Sequence, residues 1–422
     1  MMPRVSESTR GSQIDDDDNM VAVVLGDSAV RLWGLTPAER LARQLRAERI
    51  RTAPADLSAL GPNATVLLLR GDCLYDARVI RGLAKSRDAL LEVEVDGHPM
   101  PVGAHVRARR AAAARDALQG ASPRAEATGI ATVSLADVAK GYEAGLKKLD
   151  RPYVVPMAEE RLRALERLTF SGAYKGVTDL VTKFVWPAPA QCVTRWCANV
   201  GMTPNQVTGL SLVLVIVAGA LFARGEFGWG LVAGWIMTFL DTVDGKLARV
   251  TITSTKLGNV FDHGIDLIHP PLWYFAWGMG LGLAPAGIAG IPLMSIYWAI
   301  LVGYIGGRLC EGAFQLFIAR FSIFTWRPFD SWFRLIAARR NPNMIMLTVS
   351  LALGRPDLGL LAVAVWTVAS TLLLLARLLC AAAAKVSGRA IRSWLSEIGE
   401  TIDEHALSVR VFSHAAPAPR KV

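Results

Sequence analysis

Four carboxylates embedded in apolar sequence constrain this chain more than any other feature. They stand in Asp241-Thr-Val-Asp244-Gly245-Lys-Leu-Ala248-Arg249 and, after eight further residues, in Gly258-Asn-Val-Phe-Asp262-His-Gly-Ile-Asp266. An ionised carboxylate at the centre of a membrane helix costs about 2.5–3.5 kcal/mol on insertion scales. Four on neighbouring segments therefore need shared compensating partners. Hard divalent cations such as Mg2+ or Mn2+ suit carboxylate oxygens. The spacing agrees: Asp241 and Asp244 share a helical face, and Gly258, Asp262 and Asp266 recur as one stripe. Gly245, Ala248 and Gly258 are small, which lets helices approach and leaves room for a ligand. The pattern predicts two antiparallel helices facing each other across a cation site, with a slot beside it. The competing reading pairs the acids with Lys246, Arg249 and Lys256 for structure only, and it leaves the glycines unexplained.

Composition sets the context. The chain has 422 residues, 52% of them hydrophobic, too apolar for a purely soluble protein and too charged for a wholly membrane one. The fold expected is an α-helical membrane bundle of six transmembrane helices preceded by a soluble α/β domain with a mainly parallel sheet. A net charge of +10 fits basic cytoplasmic loops. No nucleic-acid motif accompanies it, so nucleic acid is not an expected partner. Five scattered cysteines read as reduced thiols.

The motif D-x2-D-G-x2-A-R-x8-G-x3-D-x3-D resembles the signature of the CDP-alcohol phosphotransferase family, and every position matches. The resemblance covers roughly residues 175–385. It implies that Asp241, Asp244 and Asp262, with a contribution from Asp266, hold two divalent ions, Mg2+ or Mn2+. It implies that Asp266 is the general base toward the acceptor hydroxyl. Gly245, Ala248 and Gly258 would line the CDP slot beside Asp241, and Arg249 would hold the region electrostatically. Thr203-Pro204-Asn205 resembles the family's entry to its first span near the nucleotide; a plain helix cap is the alternative. Arg339 and Arg340 precede the fifth span, where the family often places phosphate-binding arginines. Arg308 and Glu311 either pair with one another or face the cavity. His263 and His269 flank Asp266, and structural hydrogen bonding is the favoured reading for them.

Residues 1–20 read as a disordered tail and 21–170 as the α/β domain. Strands are expected at Val21–Gly26, Ala64–Gly71, Leu90–Val95, Ile130–Ser134 and Tyr153–Val155, and helices at Pro37–Glu48 and Ser134–Lys148. The order of features resembles the GT-A-like nucleotidyltransferases, with Leu67-Leu-Leu-Arg-Gly71-Asp72 like the strand that ends in a metal-binding Asp. The glycine-rich turn is eroded to Gly26-Asp-Ser-Ala-Val-Arg31-Leu32. The expectation is a domain that no longer makes CDP-alcohols. Residues 171–200 read as an amphipathic juxtamembrane helix and linker, the helix running Lys175–Trp186 and ended by Pro187 and Pro189. The transmembrane domain is set at 201–385, with spans near 207–223, 228–249, 258–282, 287–311, 343–355 and 358–382. Residues 386–422 read as a cytoplasmic tail with a helix over Ile391–Leu407.

The function implied is an integral membrane transferase. It would move a substituted phosphate from a CDP-alcohol, CDP-diacylglycerol being the commonest family donor, to an acceptor alcohol with release of CMP. A CDP-linked polar alcohol such as CDP-inositol is the alternative donor. A cation transporter and an inactive nucleotide-sensing scaffold are the readings from other classes. Membrane lipid and a second copy of the chain are the expected partners. The charge distribution puts both termini and the site on the cytoplasmic side of a bacterial inner membrane.

Overall fold

The computed structural model describes residues 20–54, 64–120, 129–254, 256–282, 287–399, 401–403 and 405–413; the side chains of 256, 257 and 259–263 lie outside the described set. The expected disordered N-terminal tail and the loose Ala/Pro end of the C-terminal tail fall almost wholly outside the described residues. The chain forms two compact units. One comprises Met1–Gly141 and Arg151–Arg167, the other Tyr142–Asp150 and Leu168–Val422.

The first unit opens with β1 (Met20–Leu25), α1 (Pro37–Ala47), β2 (Arg51–Thr52), β3 (Thr65–Arg70), β4 (Cys73–Tyr75) and α2 (Ala77–Leu83). It continues with β5 (Ala89–Val95), β6 (His98–Arg107), α3 (Ala108–Leu118), β7 (Ala131–Val133) and α4 (Leu135–Val138). Thr36 and Glu39 cap α1 reciprocally, with Pro37 in the first turn where its missing N–H costs nothing. The sheet order is β2-β1-β3-β6-β5-β7. The pairs β1–β2, β1–β3 and β5–β7 are parallel, while β6 runs against both β3 and β5. The sheet is therefore mainly parallel with one reversed strand. Alternate residues of β1 and β3 point to two cores: Ala22, Leu67 and Leu69 to one face, Val23, Val66 and Leu68 to the other.

Three sequence expectations needed correction here. Strand β6 was not anticipated, because Pro99, Pro101 and Gly103 argue against a central strand. It tolerates them where its pairing with β5 shifts register between Leu91 and Glu92. The helix expected over Ser134–Lys148 is only the single turn of α4, since its apolar residues serve two cores. Leu135 and Val138 pack in the first unit, whereas Tyr142 packs in the second. Between them β8 (Tyr142–Glu143) and β9 (Lys148–Leu149) form a hairpin that belongs to the second unit. The last expected strand, β10 (Val154–Pro156), pairs antiparallel with β4 outside the main sheet.

Helix α5 (Leu162–Gly172) leads on to a π-helical turn, Val181–Val185, and then to α6 (Pro187–Asn199). The expected amphipathic helix is thus confined to one turn. Pro187 opens α6 instead of ending a helix, the position where proline is best tolerated. There follow α7 (Pro204–Ala223), α8 (Phe227–Val250), α9 (Lys256–Gly280), α10 (Leu293–Ala313), α11 (Pro328–Ile336), α12 (Arg340–Ala352) and α13 (Pro356–Val386). α7 packs on α8 and α9, and α13 packs on α10 and α12. Close packing is purchased with small residues: a Cβ on Gly359 would lie 1.9 Å from Ser350 Oγ, so α12 and α13 meet backbone to side chain there.

Among the described residues three helices are long and apolar enough to cross a membrane: Pro204–Ala223, Leu293–Ile318 and Pro356–Val386. Their outer faces carry Ile216, Val302, Leu309 and Leu372, all more than 60% exposed. An apolar surface of that extent is one that lipid, not water, covers. The second unit is an integral membrane domain. The C-terminal segment is not the expected helix over Ile391–Leu407. Trp394, Leu395 and, from α14 (Leu407–Phe412), Val409 and Phe412 are buried with Phe333 of α11. Trp394 Nε1 donates to Ser331 Oγ at 2.9 Å.

Candidate active site

A cavity of about 440 Å3 opens within the second unit. Eight Lys or Arg and four Asp or Glu side chains line it, a positive surplus that favours phosphate groups. Helix α8 brings Asp241, Gly245 and Arg249 to the wall, and α9 brings Asp266. Arg340, the first residue of α12, joins them. Its Nη2 donates to Asp241 Oδ2 at 2.5 Å and its Nη1 to Asp266 Oδ1 at 2.5 Å. One guanidinium thus neutralises carboxylates from two helices, the fork geometry for which arginine is suited.

The backbone at Asp266 is held in an unusual way. Pro270 and Pro271 lie inside α9, so the carbonyls of Asp266 and Leu267 lose their helical N–H partners. The Tyr304 hydroxyl of α10 donates to Leu267 O at 3.0 Å and reaches Asp266 O at 3.4 Å. Arg308 stacks on the Tyr304 ring, 5.1 Å from its centroid, and donates to its hydroxyl at 3.3 Å. Tyr304→Phe should therefore cost about 1 kcal/mol, the net worth of a hydrogen bond lost from partly buried carbonyls. The measurement is thermal unfolding in detergent; an unchanged midpoint would show that the hydroxyl carries none of this load.

Of the residues singled out from sequence, Asp241, Gly245, Arg249, Asp266, Arg308, Arg339 and Arg340 line the cavity. Thr203, Pro204, Asn205, Ala248 and Gly258 are not part of that lining. Thr203 caps α7 reciprocally with Gln206. Asp244 is also off the lining and accepts from the Thr208 hydroxyl at 2.6 Å. Arg308 and Glu311 do not pair with each other; both face the cavity, and Glu311 pairs with Arg339. His269 is buried with Nδ1 2.7 Å from Ile265 O and its ring edge-on to Trp273. Asp262 lies in α9 one turn before Asp266; its side chain, like that of His263, is outside the described set.

Sequence reasoning missed a second group: Lys147, Lys175, Thr178, Asp179, Thr182 and Asn341. Asp179 accepts from the Thr182 N–H at 3.0 Å, capping the π-turn, and from Asn341 Nδ2 at 2.9 Å. The signal was present, since Lys175, Thr178, Asp179 and Thr182 make a polar stripe. An amphipathic helix at the membrane surface would turn that stripe to water, whereas Thr178 and Asp179 are 7% exposed. Lys147 reaches the wall from the β8–β9 hairpin. Burial, with Arg334, Lys175 and Arg308 nearby, pulls its ammonium down to about 7.

Among the described residues no group of three or more His, Cys, Asp or Glu side chains is gathered as a metal cluster. The donor chemistry at the Arg340 clamp nevertheless fits a hard cation. Asp241 and Asp266 present carboxylate oxygens that already converge on one positive group, and oxygen donors of this kind suit Mg2+ or Mn2+.

Comparison with known proteins agrees with the signature. Residues 201–312 match the family model described as CDP-alcohol phosphatidyltransferase. The bifunctional IPC transferase and DIPP synthase of Rubrobacter xylanophilus is 27% identical over 201 residues, 48% of this chain and 43% of the relative. The phosphatidylinositol phosphate synthase of Mycobacteroides abscessus is 32% identical over 111 residues, 26% of this chain and 50% of the relative. Cholinephosphotransferase 1 of Danio rerio is 29% identical over 124 residues, 27% of this chain and 31% of the relative. The match spans half or less of each relative's own length. A solved phosphatidylinositol phosphate synthase of Mycobacterium tuberculosis, with CDP-DAG bound, covers 45% of this chain and 92% of its own at 18% identity. Its TM-score is 0.32.

Proposed function

We propose that this protein is an integral membrane transferase that moves a substituted phosphate from a CDP-alcohol to an acceptor alcohol, releasing CMP. The observation that carries the reading is the convergence of Asp241 and Asp266 on one cation, in a cavity of positive surplus, beside the signature of a family-matched segment. Asp241, Asp244 and Asp262, with Asp266, would hold two divalent ions. Such ions would supply Lewis-acid stabilisation of the negative charge that develops on the leaving CMP. The acceptor oxygen attacks the phosphorus that bears the alcohol, and the phosphoanhydride bond to CMP breaks. CMP leaves with the electron pair, and Asp266 takes the acceptor's hydroxyl proton. The cationic wall of Arg308, Arg339 and Lys175 orients phosphate on the substrates.

The donor proposed is CDP-diacylglycerol, in keeping with the phosphatidylinositol phosphate synthase among the relatives. A CDP-linked polar alcohol is the second reading, favoured by the IPC transferase of Rubrobacter xylanophilus. α7 to α10, α12 and α13 are the six spans of the proposal. α12 is the shortest, its 13 residues rising about 20 Å against a core of about 30 Å. Both termini and the cavity face the cytoplasm of a bacterium, and the working unit is a homodimer. The first unit makes no CDP-alcohol in this reading. Asp72, at the place of the metal-binding Asp, is held by Arg70 through two hydrogen bonds at 3.0 and 2.6 Å.

The test is CMP release by the purified chain with CDP-diacylglycerol, Mn2+ and a panel of acceptors: glycerol phosphate, inositol phosphate and serine. Metal- and acceptor-dependent release is expected. Silence with CDP-diacylglycerol, and then with CDP-inositol in its place, would leave the scaffold and transporter readings standing instead.

A further inference from the structure

The β8–β9 hairpin presents two adjacent lysines with opposite fates. Lys148 is 2% exposed, pairs with Asp150 and donates to Gly172 O. It bolts the hairpin to the end of α5. Lys147 lines the cavity, and no carboxylate among the described residues pairs with it. The carboxylates that share the cavity are committed elsewhere: Asp179 to Thr182 and Asn341, Glu311 to Arg339, Asp241 and Asp266 to Arg340. The nearby charges are those of Lys175, Arg308 and Arg334, all of like sign.

The backbone holds Lys147 there at a cost. Its φ is +52°, the left-handed region that side-chain-bearing residues enter under constraint. The constraint is visible. Leu146 O accepts from the Gly176 N–H at 2.9 Å, and Lys147 O from the Val177 N–H at 3.2 Å. A Cβ on Gly176 would stand 2.6 Å from both Lys147 O and Phe412 O. Only glycine lets the hairpin, the segment after α5 and the C-terminal helix meet this closely. Lys147 is clamped at its backbone, lines the cavity and has other cations around it.

We infer that Lys147 is an anion-binding residue, delivered by the hairpin to hold a phosphate group of a ligand in this cavity. The inference rests on reading the cavity as a phosphotransfer site. It adds a binding residue from sequence that precedes the family-matched segment. It also gives the hairpin a role: a stretch interrupting the first unit supplies part of the substrate site.

The test uses the full chain in detergent and titration calorimetry with inorganic phosphate and with pyrophosphate. With the ammonium pulled down to about 7 by burial and by Lys175, Arg308 and Arg334, an arriving anion draws a proton onto Lys147. Wild type should take up more protons on binding than K147Q, the anion's own change of protonation being common to both. K147Q should bind about tenfold more weakly at pH 6.5. K147R should keep the affinity and match K147Q in proton balance. G176A, which displaces the hairpin and leaves the charge in place, should resemble K147Q. Equal binding and equal proton uptake by K147Q and wild type would overturn the inference, as would a wild type that binds neither anion. Comparing KM for CDP-diacylglycerol and for the phosphorylated acceptor in K147Q assigns the phosphate to donor or acceptor. Phosphate binding through Lys147 without any CMP release would sink the transfer reading alone. CMP release with both KM values unmoved in K147Q would sink this inference alone.

Discussion

Asp266→Asn should lower kcat by about 10²–10⁴-fold while the CDP-alcohol still binds with nearly wild-type affinity. The substitution keeps size and shape but cannot accept a proton. The local backbone should survive it, because Asp266 O and Leu267 O are held by the Tyr304 hydroxyl and not by the carboxylate. Arg340 retains Asp241 as its partner. The measurement is single-turnover CMP release alongside equilibrium binding of the donor. A variant that turned over at close to the wild-type rate would remove Asp266 from the base role; loss of binding with loss of rate would make it chiefly a ligand.

Arg340→Ala has the second large effect, this time on stability. Removing one member of a buried ion pair costs about 3–5 kcal/mol, since the remaining charge is left uncompensated. Here two carboxylates lose the same partner. Asp241 is 17% exposed and takes the full penalty, while Asp266 at 40% keeps water and takes less. With a chelator present the variant should unfold well below wild type, with a loss near the lower end of that range. Adding Mn2+ should restore most of the difference, because a hard cation can replace the guanidinium between the same oxygens. If the variant matched wild type in chelator, the clamp would contribute nothing. If Mn2+ gave no recovery, these carboxylates would not be a cation site.

The two variants probe what is local and what is assembled. The helices bearing Asp241 and Asp266 were legible because long apolar runs at helical spacing form helices, and charge inside them is conspicuous by its cost. Strands β1, β3, β5 and β7 were legible from their apolar runs. Strand β6 was not, since its two prolines and glycine speak against a ladder that only a neighbouring bulge makes possible. The Lys175–Thr182 stripe was visible as a stripe, yet polar residues look alike whether they face water or a polar cavity.

By itself the sequence determined the family signature, the positions of the main helices and the presence of acids that must be compensated. Each follows from short-range periodicity and the cost of burying charge. Which cation meets which acid was decided by tertiary structure alone. Arg340 lies 99 residues from Asp241 and 74 from Asp266, and Asn341 lies 162 from Asp179. No local pattern encodes such pairings, because they exist only once separate helices have packed and left a small number of polar groups facing one enclosed space. The same holds for Lys147, whose place in the cavity depends on the hairpin belonging to the second unit and not continuing a helix from Ser134.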